Sequence, residues 1–317
     1  MEVSVVVPVY GCPEALKPLH ERLTKVLNEI TKSYEIILVN DGCPKGSWKE
    51  IEDICNIDKK VVGVNLVRNF GQAHSTNAGL ALAKGNYVVL MDCDLQDNPE
   101  AIKELYKTIK NGNEIVFVKR KHRKASLFSK LSSRLFYMIY NRYVEGDFDS
   151  DVANYCMVTK KVLTAYNGIR NNNKSFATTI CWMGFKAEYI QVENDERYAG
   201  KSSYSLNRKI DLAIDMLTSQ SNKPLKALLK TGVIIAMIGF LYLFVQIIIY
   251  FADKERIEGW MTIVGTILIM GGMIMFSLGG VGIYVGNIFT QTNEIPEYII
   301  SETLNYKEKA VSAKTKA

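Results

Sequence analysis

Two carboxylates one residue apart, Asp92-Cys93-Asp94, follow the apolar run Tyr87 to Met91 and are themselves followed by Gln96 and Asp97. Acids at that spacing at a strand end repel each other unless something positive neutralises them, and a hard divalent cation with its diphosphate does so. The pair therefore reads as a metal and phosphate clamp for Mg2+ or Mn2+, lowering the charge that develops on a departing nucleoside diphosphate. Alone the pattern is weak, because turns are rich in Asp. Its place directly after an apolar strand shifts the balance toward chemistry.

The elements that must hold this clamp are legible as alternating β-branched and amphipathic stretches. Val3 to Val9, Glu35 to Val39, Val61 to Val67, Tyr87 to Met91 and Glu114 to Val118 predict strands. Leu16, Leu19, Leu23, Val26, Leu27 and Ile30 share one helical face, and Ile102, Leu105 and Ile109 share another, with Asn98 as N-cap and Pro99 in the first turn. Strand then helix, repeated, predicts an α/β fold with a mostly parallel sheet flanked by helices. Ligands of such sheets bind beyond the carboxyl ends of the strands. Asp41 closes the second strand, Arg68 and Asn69 the third, and Asp92, Asp94 and Gln96 the fourth. Tyr-Gly-Cys-Pro follows the first strand where a dinucleotide-binding domain would have its glycine fingerprint, and there is no Walker A sequence, so a dinucleotide oxidoreductase or P-loop NTPase is not expected.

The last third of the 317-residue chain differs in character. No charged residue occurs from Thr231 to Ala252 or from Gly259 to Asn293, and each stretch exceeds the ~20 residues that span a bilayer. Lys223, Lys226 and Lys230 precede the first stretch, and Lys307, Lys309, Lys314 and Lys316 follow the second. Basic residues beside both spans predict an integral membrane protein with two spans and a cytoplasmic soluble part. The expected organisation is a catalytic domain over 1–204, a juxtamembrane amphipathic helix over 205–224, spans over 225–252 and 259–290 joined by an external loop at 253–258, and a cytoplasmic tail over 291–317. Val3 to Val9 is too short for a signal peptide and has no basic region before it. The six cysteines, at 12, 43, 55, 93, 156 and 181, have no paired spacing and are expected as free cytosolic thiols. His20, His74 and His122 are scattered, which argues against a histidine metal site. The net charge of +6 is modest, and its basic run, Lys119 to Lys124, suits a solvated surface or anionic headgroups; no nucleic-acid partner is expected.

Five segments in order resemble a known family: Val-Val-Val-Pro-Val-Tyr (5–10), Val-Asn-Asp-Gly (39–42), Arg-Asn-Phe-Gly-Gln (68–72), Asp-Cys-Asp-Leu-Gln-Asp (92–97) and Arg-Tyr-Ala-Gly-Lys-Ser-Ser-Tyr (197–204). With two terminal spans and Ile-Pro-Glu-Tyr-Ile-Ile (295–300), the chain looks like the family-2 glycosyltransferases. More narrowly it is similar to the polyisoprenyl-phosphate glycosyltransferases, which include dolichyl-phosphate mannose synthases and bacterial undecaprenyl-phosphate glucosyltransferases. The resemblance implies a GT-A nucleotide-sugar-binding fold, a UDP- or GDP-sugar donor, a polyisoprenyl phosphate acceptor, inversion at the anomeric carbon and Mg2+ or Mn2+. It implies that Pro8, Tyr10 and Asp41 hold the base and ribose, with Arg68 among the donor-binding residues, and that Asp92 faces the nucleoside. Asp94 and Gln96 would be metal ligands, with Asp92 beside them, and Arg197, Ser202 and Tyr204 would contact phosphates. The chain departs from the family pattern at Gly11-Cys12, Cys43, Lys45, Asn154, Cys156, Ile283 and Asn287.

Asp151 is the candidate catalytic residue beside Asp94: it orients or polarises the acceptor, or else caps a loop with Asp147 and Asp149. A phosphate monoester, with a second pKa of about 6, needs little deprotonation before it attacks, so a missing acid at Asn154 is tolerable for such an acceptor. Ser126 to Val144 suits either a helix on a membrane surface or one packed on the sheet, and Ser205 to Ser219 would lead into the first span. Gly282-Ile-Tyr-Val-Gly286 fits close helix approach, either within the chain or across a homo-oligomer. The competing readings are a transferase with a different lipid or glycan acceptor, and a catalytically silent membrane scaffold of the same fold.

Overall fold

Seven consecutive residues, Val3–Val9, are all buried, as a strand flanked on both sides and covered on both faces must be. This strand, β1, lies inside the sheet of a computed structural model that describes residues 1–120, 152–169, 174–192, 223–252, 259–293 and 295–306. After it come α1 (Pro13–Ile30), β2 (Tyr34–Asn40), α2 (Ser47–Ile57), β3 (Val61–Leu66), α3 (Gln72–Leu82) and β4 (Tyr87–Leu90). A short 3-10 turn at Pro99–Ala101 leads into α4 (Ile102–Lys110), β5 (Ile115–Arg120), β6 (Val152–Thr159), α5 (Lys160–Asn167), α6 (Phe176–Trp182) and β7 (Ala187–Val192). Two long helices, α7 (Lys223–Ala252) and α8 (Trp260–Thr292), precede a last strand, β8 (Ile300–Leu304).

The eight strands form one sheet in the order β7-β5-β6-β4-β1-β2-β3-β8. The predicted strands recur within a residue or two of their expected ends, and Asn98 caps as expected, its side chain accepting from the Glu100 N–H at 2.9 Å. The sheet is mixed, which corrects the expectation of a mostly parallel one. The pairs β1–β2, β1–β4, β2–β3 and β5–β7 are parallel, whereas β4–β6, β5–β6 and β3–β8 are antiparallel. Part of the difference comes from the C-terminal segment, expected as a tail, which returns to pair β8 with β3. It is pinned there by Glu297, which accepts from Asn77 Nδ2 at 2.9 Å while Tyr166 donates to Asn77 Oδ1 at 2.6 Å.

Helix α3 is buried almost all round, and Gly79 makes this feasible. A Cβ there would lie 2.5 Å from Val6 Cγ1 and 2.9 Å from Val39 Cγ2, so only glycine lets the helix rest on β1 and β2. That contact sets the start of α3 beside the carboxyl ends of the same strands. At their opposite end, buried Glu35 accepts from Ser4 Oγ at 2.6 Å and from the Lys84 N–H at 2.7 Å, so its desolvation is compensated locally.

Three carboxyls outside the strand ends are held below their ordinary values. Hydrogen bonds from Tyr106 and Lys110 lower Glu2, and the Arg22 guanidinium lowers Glu100. At Asp58, burial pushes upward but His20, at 3.0 Å, and the Lys60 N–H outweigh it. A folded pKa below the unfolded one contributes stability above the unfolded pKa, and that stability is lost as pH falls through the folded value. The thermal unfolding midpoint of the detergent-solubilised protein is therefore expected to drop between pH 5 and 3, and to drop less in Glu2→Gln; an equal drop in that variant would remove Glu2 from this account.

The described residues up to Val192 and from Pro296 onward form one unit, and α7 with α8 belong to another. In the second unit, Gly265–Phe289 is long and apolar enough to cross a membrane, and it is the one such segment among the described residues. Its side chains find little cover from the protein: Ile267, Met275 and Phe276 are 63%, 70% and 72% exposed. The two helices approach closely at Gly280, where a Cβ would lie 2.6 Å from Leu228 Cδ1, whereas among the described residues nothing lies within 4 Å of a Cβ at Gly282 or Gly286. The helices expected over 126–144 and 205–219 lie outside the described residues.

Candidate active site

The site is assembled from the loops that follow β1, β2, β3 and β4. Pro8 is buried within β1 in register with Val39, while Tyr10, just past the strand, is 51% exposed. At the end of β2, Asp41 is buried and turned toward the next loop: its two carboxylate oxygens accept from the Phe70 N–H at 2.7 Å and the Gly71 N–H at 3.0 Å. Burial raises the Asp41 carboxyl above its ordinary value, against the pull of those two N–H groups. Gly42, at φ +58°, lets the loops touch, since a Cβ would lie 2.5 Å from both Arg68 C and Asn69 N. Asn40 braces the turn, donating to Asn65 Oδ1 at 2.8 Å. Arg68 is exposed beyond β3, its guanidinium 4.2 Å from the centre of the Phe70 ring.

Past β4 the chain turns at Cys93 and Asp94 and bends at Leu95, and burial alternates strictly from Met91 to Pro99. Asp92, Asp94 and Gln96 are partly exposed, whereas Met91, Cys93, Leu95 and Asp97 are buried, so the turn leaves the predicted acids open to solvent. Gln72, at the start of α3, donates from Nε2 to Asp92 Oδ1 at 2.8 Å. Asp97, 2% exposed, accepts from the Asp92 N–H at 3.1 Å, and Asp94 Oδ1 accepts from the Gln96 N–H at 3.2 Å. Leu95 holds φ +61°, a left-handed conformation that non-glycine residues adopt at a cost of about 1–2 kcal/mol. Buried Tyr155 fixes the far side, donating to Asn98 O at 2.8 Å. The side chains of Asp92, Asp94 and Gln96 offer oxygen donors alone, a chemistry that would suit Mg2+ or Mn2+ and not a thiolate-seeking ion. Among the described residues there is no group of three or more His, Cys, Asp or Glu placed to hold a metal ion.

Three arrangements here go beyond the sequence reading. Gln72 in Arg-Asn-Phe-Gly-Gln is not among the candidate site residues yet holds Asp92, and Asp97 is a buried buttress for the Asp92 backbone. More consequentially, Cys12 and Cys93 form a disulfide across 81 residues, which corrects the expectation of six free thiols. The cause is topological: β1 and β4 are parallel neighbours, so the loops leaving them meet. Cys43, Cys55, Cys156 and Cys181 are free. Cys156 is buried in β6, paired in register with Leu90 and Phe117, and Asn154 is exposed on the same strand. Asp151, Arg197, Ser202 and Tyr204 lie outside the described residues.

Comparison with known proteins agrees with this architecture. Residues 4–187 match the sequence profile of glycosyl transferase family 2. The chain is 30% identical over 310 residues to the uncharacterized glycosyltransferase YkcC of Bacillus subtilis, covering 98% of this chain and 96% of that one. It is 31% identical over 316 residues to the undecaprenyl-phosphate 4-deoxy-4-formamido-L-arabinose transferase of Proteus mirabilis, covering 97% and 95%. Among solved structures it resembles glucosyl-3-phosphoglycerate synthase of Mycobacterium tuberculosis in complex with Mn2+, UDP-glucose and phosphoglyceric acid, with a TM-score of 0.51 at 13% identity over 69% of this chain and 78% of that one. That likeness makes the fold GT-A-like. With the family profile covering residues 4–187, more than half of the chain, and relatives at this identity matched almost from end to end, the chain belongs to glycosyl transferase family 2.

Proposed function

We propose that the protein transfers a sugar from a UDP- or GDP-sugar to a polyisoprenyl phosphate at the cytoplasmic face of a membrane, with inversion at the anomeric carbon. The observation that carries this reading is the paired outward carboxylates of Asp92 and Asp94, held between Gln72 and Asp97 where the parallel strands end. A relative named for transfer to undecaprenyl phosphate supports the acceptor class. An apolar helix of 25 residues at Gly265–Phe289 supports a membrane setting. The reading takes α7 as a second span, which returns both termini to one side.

Asp92, Asp94 and Gln96 would hold the divalent ion through oxygen atoms. When bound, Mg2+ or Mn2+ neutralises charge on the diphosphate leaving group. The chain's own residues do the rest. Exposed Tyr10 offers a ring to the nucleobase, with Pro8 shaping the strand end beneath it. Asp41 contributes by holding the Phe70-Gly71 backbone, which places Arg68 and the start of α3 against the donor. Arg197, Ser202 and Tyr204 take phosphate oxygens, and Asp151 orients the acceptor. Because a phosphate monoester is largely dianionic at neutral pH, attack needs little help from a base.

The test is transfer of labelled sugar from a panel of UDP- and GDP-sugars to undecaprenyl phosphate by the purified full-length protein with Mg2+ or Mn2+. Label in the organic phase that disappears with EDTA is the expected result. Donor binding without labelled lipid would defeat the acceptor class and leave a different lipid or glycan in its place; no donor binding at all would favour the silent scaffold.

A further inference from the structure

Three of the six cysteines gather where the donor would sit. The Cys12–Cys93 bridge ties the loop after β1 to the middle residue of Asp92-Cys93-Asp94, and its two residues are only 3% and 7% exposed. Cys43, at the end of β2, is partly exposed, and its Sγ accepts from the Gly11 N–H at 3.2 Å, one residue from the bridge. The other three thiols are elsewhere: Cys55 and Cys156 are core residues, and Cys181 is in α6.

We propose that Cys12, Cys93 and Cys43 form a thiol–disulfide switch within the donor site, in which the bridge preorganises the acidic clamp and Cys43 is the thiol through which a dithiol reductant opens it. The inference rests on the proposed donor site. Cys93 is buried between two partly exposed acids, so its bond to Cys12 anchors the middle of the acidic turn. Opening it removes that anchor, while the hydrogen bonds from Gln72 Nε2 and the Gln96 N–H and the one to Asp97 remain. Disulfides are rare in the cytosol, where those present are usually catalytic or redox-sensing, and a domain facing that compartment would meet dithiol reductants.

The exchange balances as follows. Cys43 thiolate attacks Cys12 Sγ, forming the Cys43–Cys12 bond and breaking Cys12–Cys93, and Cys93 leaves with the electron pair and takes a proton. One sulfur of the reductant then attacks the more exposed Cys43 Sγ and releases Cys12 as a thiol. The second sulfur of the reductant closes its own disulfide and frees Cys43, so two electrons pass from the dithiol to the bridge. The reactivity of the thiols is ordered accordingly. Partial burial raises Cys43, but the polar groups around it, Ser47 and the backbone of Lys45 and of Gly11, whose N–H donates to Sγ at 3.2 Å, outweigh it and leave the thiol below its ordinary value. Burial pushes Cys55 and Cys181 up to about 11.

The experiment uses full-length protein isolated in detergent without reductant. Peptide mapping after alkylation is expected to recover Cys12 linked to Cys93, with Cys43 the fastest thiol to be blocked. Millimolar dithiothreitol opens the bridge, and in Cys43→Ser it opens about tenfold more slowly. Mn2+-dependent binding of UDP or GDP weakens about tenfold on opening, the scale expected when support for a metal ligand is lost. Cys93→Ser, and independently Cys12→Ser, bind as the opened protein does and ignore dithiothreitol. The switch is overturned by absence of the linked peptide, by equal opening rates with and without Cys43, or by equal Mn2+-nucleotide affinity of bridged and opened protein. Failure of both nucleotides to bind either form counts instead against the donor site, since the linked peptide and opening rates are read without ligand.

Discussion

Asp94→Asn is expected to lower sugar transfer by about 10²–10³-fold, the scale seen when one preorganised electrostatic contact to a developing charge is lost. The substitution keeps shape and removes charge. An Asn carbonyl can still accept from the Gln96 N–H, as Asp94 Oδ1 does at 3.2 Å, so the turn through Leu95 has no reason to rearrange. A hard cation, however, loses one of its two carboxylates. The thermal midpoint of the variant should match the parent while the Mn2+ concentration needed for half-maximal donor binding rises. Activity within twofold of the parent at saturating metal would show that the acidic pair does not carry the reaction.

The second large effect is steric and acts through the backbone. Gly42→Ala should destabilise the first unit by about 3 kcal/mol, combining a left-handed backbone penalty of roughly 1–2 kcal/mol with a collision that side-chain motion cannot relieve. The new Cβ would lie 2.5 Å from Arg68 C and Asn69 N, so the loop after β3 must shift, and the Asp41 bonds to Phe70 and Gly71 shift with it. Donor binding is expected to fall together with stability. Gly11→Ala is the control: φ is +81° there too, but among the described residues nothing lies within 4 Å of the added carbon, so the conformational penalty applies without that collision. Equal losses for the two variants, measured by thermal unfolding of the full-length protein, would remove the packing contact from the explanation.

Much of this site can be read along the chain because it is built from strand ends. A run such as Val3–Val9 announces a buried strand through its β-branched, uninterrupted apolarity, and the first polar residues after it fall at the ligand-binding edge of the sheet. The positions of Asp41, Arg68, Asp92 and Asp94 just past β2, β3 and β4 are legible on that basis, whereas the turn at Cys93 and Asp94 with Leu95 at φ +61° is not. The direction in which Asp41 points was not legible: a carboxylate at a strand end serves a ligand or a neighbouring loop equally well, and here it holds the Phe70-Gly71 backbone. Asp97 carried no signal of its role for the same reason.

The sequence by itself determined the α/β alternation, the order of the strand-end motifs and the two uncharged stretches near the C-terminus, because each is a local pattern of polarity with its own period. Tertiary structure alone decided that β6 and β8 run antiparallel to their neighbours, that Glu297 returns to Asn77, and that Cys12 meets Cys93. Those contacts join residues dozens to hundreds of positions apart, and which distant loops become neighbours depends on the order in which strands pair, a property of the whole sheet that no single segment encodes.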